Sequence, residues 1–282
     1  RLIAESSELD PADPTGHLIL ASGYAQLGRV PELDEELARA RALGFGEAAE
    51  ELDSALEHGA YGLLLMCLRD PRRAAEAEAH LVRALELDPH RYGYHFSLYH
   101  LRLGRHDEDG AIAALVAFRD HLPSGEPLFQ VVDALRLEVL GEHRAALDTL
   151  ERVAALPGMS AERLQELRWH RHAGRMHLHL HELEPAEVLL RRAVEEAPTD
   201  GPSWEGLTMI QIERLKQGEA SETTRRAAEE CARRALAVSP ALANPQVVLA
   251  WLAVWELGHA PLRADPRQSP AWGAVRAALD RL

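Results

Sequence analysis

Three prolines, Pro89, Pro123 and Pro157, stand 34 residues apart. Each closes a run rich in Ala and Leu, in which small and large apolar residues recur at the spacing of a helix. The residues that repeat before these prolines are Ala77, Leu81 and Ala84, then Ala111, Leu115 and Phe118, then Ala146, Leu150 and Val153. A fixed period of this length predicts stacked helical hairpins, each of which packs only on its neighbours.

The period continues on both sides of these three units. It is found as Ala186, Leu190 and Ala193 before Pro198, as Ala228, Ala232 and Ala235 before Pro240, and as Leu33, Leu37 and Ala40 before Phe45. The interval lengthens to 41 residues before Pro198 and to 42 before Pro240, with the surplus at 158–165 and at 216–221. We expect both insertions between helices, with a longer first helix after the earlier insertion.

The predicted fold is all-α, a single solenoid of about six to seven helix-turn-helix repeats over residues 1–282. The predicted repeats are 14–47, 58–89, 90–123, 127–158, 167–198, 201–240 and 244–282, with 1–11 as the tail of a preceding repeat. Ser269 and Pro270 are typical of a helix start, and a capping helix is expected at 270–282.

Composition agrees with close helix packing, because 46% of residues are hydrophobic and only 5% are aromatic. The formal net charge of -14 argues against a nucleic-acid partner and against anionic membranes. Cys67 and Cys231 suggest neither a disulfide framework nor a zinc site. The apolar stretches 59–68 and 247–255 are too short to cross a bilayer, and no signal peptide is recognisable. We expect a cytoplasmic bacterial protein without a cofactor or metal.

The frame with Leu20, Tyr24 and Gly28 on one helix, and Ala, Leu and Ala before a closing proline on the next, resembles the tetratricopeptide repeat. Trp204 matches the aromatic residue that opens the first helix in that family. The resemblance implies a right-handed superhelix, with first helices lining a concave groove that holds peptides or partner helices, and no catalysis in the repeat. The lysine and asparagine clamp of the chaperone-tail-binding branch is not matched.

Helical spacing predicts which side chains line this groove. The predicted basic stripes are Arg168, Arg171, His172, Arg175 and His179 in one unit, and Arg91, Tyr94, His95, Leu98 and Arg102 two units earlier. Between them lies the predicted apolar floor of Leu128, Val131, Val132, Leu135 and Val139. The predicted ligand is an acidic, partly apolar peptide of a protein partner, because arginine binds carboxylates and the floor offers apolar area. The alternative is that these arginines pair with the chain's own Asp and Glu.

Histidines are concentrated in residues 170–181. His177 and His181 have the i, i+4 spacing of zinc ligands on helices, and His170 shares their face. The same face carries Ala173 and Gly174, which favours a core role over metal binding. A pH-sensitive packing defect is a further alternative.

Other features divide between core and function. Trp251, Trp255 and Trp272 are assigned to the core of the terminal unit, with an exposed partner patch as the alternative.

No phosphate loop follows a strand, and no nucleophile with a base and an orienting acid is recognisable, so no enzymatic activity is predicted. Two alternatives to a scaffold that acts alone are the regulatory arm of a larger kinase or protease, and self-assembly through the terminal helices.

Overall fold

The computed structural model describes residues 14–26, 30–45, 52, 54–68, 71–217 and 221–238, together with five single positions between 245 and 252. Within these residues the chain forms thirteen α-helices and no β-strand. The expected repeat tail at 1–11, the capping helix at 270–282 and Trp251, Trp255 and Trp272 lie outside the described residues. None of the described helices is both long and apolar enough to cross a membrane.

The chain divides into two compact units, residues 1–149 and 150–282. The helices of the first unit are α1 (Pro14–Gln26), α2 (Val30–Ala42), α3 (Ala55–Leu68), α4 (Ala74–Leu87), α5 (Tyr92–Gly104), α6 (Glu108–Asp120) and α7 (Pro127–Val139). The pairs α1 and α2, α3 and α4, and α5 and α6 pack as hairpins, and α1 also packs on α3. Helix α8 (His143–Ala154) includes the division between the units.

The second unit contains α9 (Ala161–Glu166), α10 (Trp169–His179), α11 (Leu183–Glu196), α12 (Gly201–Lys216) and α13 (Glu222–Val238). Here α10 packs with α11 and α12 with α13, while α10 and α11 both contact α12. The all-α prediction and its helical hairpins are thus confirmed within each unit. The handedness, the number of repeats and the single solenoid stay predictions.

The repeating small and large residues form the core of each hairpin. Leu81, Leu115, Leu150 and Leu190 are at most 1% exposed. The small residues that flank them are also buried, namely Ala77, Ala84, Ala111, Ala146, Ala186 and Ala193. Small side chains let neighbouring helices approach closely, while each Leu fills the space that this approach leaves. The periodic pattern in the sequence therefore identified the buried face of every second helix.

The closing prolines lie just beyond the second helices, as predicted. Pro89, Pro123, Pro157 and Pro198 follow the ends of α4, α6, α8 and α11 by two or three residues. Proline cannot continue a helix, because it lacks the N–H and clashes with the preceding turn. These prolines therefore set where each hairpin ends.

The insertion at 158–165 differs from the expectation. A longer first helix was expected, but Ala161–Glu166 forms the separate short helix α9, and α10 has only eleven residues. Ser160 starts α9, because its Oγ accepts the Arg163 backbone N–H at 3.2 Å. Arg168 breaks the continuity with a left-handed backbone at φ 52°. Because of this break, α9 and α10 are two separate helices and not one continuous helix.

Candidate peptide-binding residues

The basic stripe predicted on α10 is anchored by one carboxylate. Arg168 and Arg171 each donate from Nη1 to Oδ1 of Asp200, at 3.0 and 3.1 Å. Asp200 directly precedes α12 and is buried, and its second oxygen accepts the hydroxyl of Ser203. The carboxylate thereby holds two guanidinium groups of α10 at the start of α12.

The two arginines have different surroundings. The Arg171 side chain is 12% exposed and its Nε has no hydrogen-bond partner, whereas the Arg168 side chain is 57% exposed. Burial lowers the pKa of Arg171, and the positive charges of Arg168 and Arg175 lower it too, while Asp200 opposes the shift. Arginine remains charged in proteins despite such shifts. The pair therefore presents more positive charge than its single carboxylate neutralises.

Two predicted residues of the same stripe lie differently. His172 is buried, and its Nε2 accepts a hydrogen bond from Nη2 of Arg171 at 3.2 Å. His179 is exposed at the end of α10, and Arg175 is partly exposed on the same helix. The solvent-facing part of this stripe is therefore formed by Arg168, Arg175 and His179.

The basic stripe predicted in the first unit is held by internal ion pairs. Arg91 donates from Nε to Oδ2 of Asp88 at 3.0 Å, and its side chain remains 49% exposed. Arg102 donates from Nε to Glu78 of α4 at 2.8 Å and from Nη1 to the Gly110 carbonyl at 3.0 Å. Because it joins α4, α5 and the start of α6, Arg102 is a packing residue as well as a charge.

Most of the predicted apolar floor and its neighbours lie in the core. On α5, Tyr94 and His95 are 8% and 3% exposed. On α7, Val131 and Leu135 are 1% and 3% exposed, and Leu128 is half-buried against the hydrophobic cluster that contains Leu135. Side chains that pack between helices of their own unit offer little area to a partner. Of the fifteen residues predicted to line the groove, Arg91, Arg168 and His179 are the exposed ones.

The histidine cluster at 170–181 is divided among separate carboxylates. His170 Nδ1 lies 3.0 Å from Glu196 Oε2, and His177 Nδ1 lies 2.6 Å from Glu182 Oε2. His181 is exposed in the turn after α10, with a left-handed φ of 59°. Within the described part of the chain, no group of three or more His, Cys, Asp or Glu side chains is arranged to hold a metal ion.

One recurrent contact was missed in the sequence. The fourth residue of α3, α5 and α12 is His58, His95 and Trp204. Each ring N–H donates to a backbone carbonyl six residues earlier, of Leu52, Pro89 and Pro198, at 3.1, 2.9 and 2.9 Å. All three residues are the fourth of their helices, so numbering each predicted helix from its first residue would have aligned the two histidines with Trp204.

Solved structures with a similar fold are found at low sequence identity. The human IFIT1 dimer with m7Gppp-AAAA is 18% identical, with a TM-score of 0.60, over 94% of this chain and 58% of IFIT1. The Cut9–Hcn1 hetero-tetramer of the APC/C is 17% identical, with a TM-score of 0.54, over 94% of this chain and 48% of its own. The chain thus spans less than three fifths of the length of either structure.

No family model and no curated protein matches the sequence. At these identities, the similarity to solved structures is evidence for the fold alone. They agree with the packed helical hairpins of this chain. The chain is a protein of the tetratricopeptide-repeat type in its fold.

Proposed function

We propose that this chain is a non-catalytic scaffold that binds an acidic, partly apolar peptide or helix of a protein partner. The observation that carries this proposal is the arginine pair on Asp200. Its guanidinium groups already hold one carboxylate, and Arg168 keeps more than half of its side chain in solvent. A partner carboxylate can take the remaining N–H donors of Arg168 in a charge-assisted hydrogen bond.

Exposed apolar side chains beside Arg91 supply the second part of the proposal. Leu87 and Tyr92 are 42% and 36% exposed, and they flank the exposed Arg91 in sequence. Large apolar residues next to a cation suit a peptide in which acidic and apolar residues alternate. The first unit would therefore bind such a peptide through Arg91 and these two side chains, independently of Arg168 in the second unit.

Nucleic acid is the main competing class of ligand, because IFIT1 was solved with m7Gppp-AAAA. The net charge of -14 and the pI near 5.5 weigh against it here, since phosphate backbones are bound through excess positive charge. The other alternative is that the chain is the regulatory arm of a larger enzyme. In that case the same surfaces would bind another segment of the same polypeptide.

The test compares matched ligands and matched variants. A fluorescent peptide alternating Asp or Glu with Leu or Phe is titrated with the full chain by anisotropy, beside a peptide with Lys in place of the acidic residues and a single-stranded A-rich RNA. We expect Arg168→Glu to weaken binding of the acidic peptide about tenfold or more, since a charged hydrogen bond is lost and a repulsion is added.

Arg226→Glu is the control for this experiment. Arg226 on α13 is 74% exposed and pairs with Glu222, so the substitution makes the same change in net charge at a distant helix surface. We expect it to leave peptide binding unchanged. Equal binding of the acidic and lysine peptides, equal effects of the two variants, or preferential binding of the RNA would each refute the proposal.

A further inference from the structure

Histidine recurs at one position of the hairpins. The fourth residue of α1, α3, α5 and α10 is His17, His58, His95 and His172, while α7 and α12 have Gln130 and Trp204 there. His58, His95 and His172 are 4%, 3% and 4% exposed. A buried imidazole is tolerated only in a form whose hydrogen bonds its surroundings complete. The contacts of each ring therefore decide what a proton would do there.

His58 on α3 forms a hydrogen-bonded pair with His80 on α4. The Leu52 carbonyl can only accept, so His58 Nε2 carries the proton of that bond, and a neutral His58 must accept at Nδ1. His58 Nδ1 lies 3.0 Å from Nδ1 of His80, which then donates. Both rings are buried, and the Tyr61 ring packs edge-on against His80. The arrangement is complete with both imidazoles neutral.

A proton added to this pair has no favourable place. On Nδ1 of His58 it would meet the N–H of His80, and on His80 it would put a cation beside His58 in the core. Burial lowers the pKa of His58 and of His80 below 6.5, and the two histidines oppose each other's charge. Arg83 and Arg73 add to the lowering, while Glu57, Glu76 and the Leu52 carbonyl oppose it.

His95 on α5 is neutral for a related reason. Its Nε2–H donates to the Pro89 carbonyl, its Nδ1 is buried without a partner, and its ring stacks on Phe118 with centroids 5.0 Å apart. Protonation at Nδ1 would create a buried N–H that lacks an acceptor. Burial lowers the pKa of His95, the Pro89 carbonyl opposes this, and His121 lowers it further.

His172 on α10 faces a permanent cation. Its Nε2 accepts a hydrogen bond from Arg171, so a proton on that nitrogen would replace the bond with a repulsion between two positive groups. The guanidinium groups of Arg168 and Arg175 also lie near Arg171, with Asp200 as the opposing carboxylate. The acceptor role of His172 therefore differs from the contacts of His58 and His95, whose Nε2–H groups donate to carbonyls.

We propose that His58 and His95 act as an acid-sensitive element, through which mild acid loosens the hairpins of the first unit. The neutral rings anchor the first helices of their hairpins through the Leu52 and Pro89 carbonyls. Protonation keeps these two bonds but puts a positive charge in the core, where His58 can no longer accept the His80 N–H and the new Nδ1–H of His95 has no acceptor. An imidazole whose folded pKa lies below its unfolded value gives stability that is present above about pH 6.5 and is lost as pH falls through the folded value.

His17, His170 and His177 do not share this arrangement. His17 lies 2.6 Å from Glu36, and His170 and His177 likewise face Glu196 and Glu182. A proton on any of these three rings forms an ion pair with its carboxylate. The proposal therefore concerns His58 and His95, whose ring nitrogens contact backbone carbonyls and a second imidazole, and it does not depend on the proposed peptide binding.

The first test uses the unmodified full chain. Two-dimensional proton–carbon NMR spectra of the imidazoles are recorded from pH 8 to pH 5 with N-acetylhistidine in the same tube, and assigned with single His→Gln variants. We expect His58 and His95 to titrate at lower pH than the reference, or to lose their native signals as the chain unfolds. Titration of these two at or above the reference would overturn the proposal.

The second test measures stability. Glutamine is the replacement at each site, because it is neutral, can donate to the same carbonyl and occurs naturally at Gln130. Urea midpoints at pH 7.5 and pH 5.5 are compared for wild type, the double variant with His58 and His95 changed to Gln, and the control His90→Gln. His90 is exposed in the turn before α5.

We expect the wild-type and His90→Gln midpoints to fall on acidification, and the midpoint of the double variant to fall by less than half as much. Carboxylates and net charge change alike in all three chains, so the difference isolates the two buried imidazoles. An equal fall in all three, or no fall in wild type, would contradict the proposal. Should the double variant fail to fold, the NMR titration alone decides.

Discussion

Gly59 on α3 lies directly against the ring of Tyr94 on α5. A Cβ built on Gly59 would overlap Cζ and Cε2 of that ring, and Tyr94 is itself buried. No rotamer change of a packed tyrosine is cheap, because the surrounding core has no space to receive it. Glycine is therefore required here by contact rather than by backbone conformation.

Gly59→Ala is expected to lower the free energy of unfolding by about 2 kcal/mol or more. Gly23→Ala on α1 is the matched comparison, since nothing lies within 4 Å of its Cβ position. There alanine is expected to raise stability by up to about 1 kcal/mol through helix propensity. Urea denaturation followed by circular dichroism measures both, and a similar change in the two variants would contradict the close approach.

At the scale of single residues, the sequence identifies the charged side chains but not their ion-pair partners. The arginines of the predicted stripes were identifiable from helical spacing, whereas the pairing of Arg168 and Arg171 with Asp200 joins residues 32 and 29 positions apart. A carboxylate in the next hairpin is reached only through the packing of α10 on α12. The alternative of internal ion pairs thus describes Arg91, Arg102, Arg168 and Arg171 as they are found.

Helix α11 shows how one element joins two others. Its Leu190 is fully buried, and Cβ atoms placed on Gly174 of α10 and Gly206 of α12 would each come within 2.8 Å of the Leu190 side chain. The two glycines let α10 and α12 approach the same leucine closely. The packing of α11 therefore depends on this single side chain more than on its exposed residues.

Leu190→Ala is expected to lower the free energy of unfolding by about 3 kcal/mol, because it removes buried area and leaves a cavity. Val188→Ala on the same helix should change it by about 0.5 kcal/mol or less, since Val188 is 68% exposed. Chemical denaturation at pH 7.5 gives both values. Comparable losses in the two variants would show that α11 does not pack as described.

Periodicity predicted the elements well and their connections less well. The 34-residue spacing gave the second helices, because buried Ala and Leu must recur where each hairpin meets its neighbour. The insertion at 158–165 has no counterpart in the other repeats, so no period constrained it. The Ser160 cap and the left-handed Arg168 decided instead that α9 is separate from α10.

On the scale of the whole molecule, Cys231 can report on the opening of the second unit. It is a free thiol, 8% exposed, and burial raises its pKa to about 11. Thiol reagents attack the thiolate, which is scarce at pH 8 when the pKa is this high. Reaction at Cys231 therefore requires that α13 first leave its place in the core.

In a Cys67→Ser chain, which leaves one thiol, we expect labelling of Cys231 at pH 8 to be about a hundredfold or more slower than in the urea-unfolded chain. The rate should rise with urea below the unfolding midpoint if local opening controls it. Absorbance with a disulfide reagent follows the reaction. Labelling of the native chain as fast as that of the unfolded chain would refute the buried position.

The fourth residue of the first helices has a consequence for how the chain would come apart. Gln130 and Trp204 take up no proton between pH 8 and pH 5, whereas the imidazoles at the equivalent places can. Acidification would therefore weaken the hairpins that carry a buried histidine while those of Gln130 and Trp204 stay folded. Unfolding would then be stepwise, and a long peptide bound along several hairpins would lose its contacts one after another.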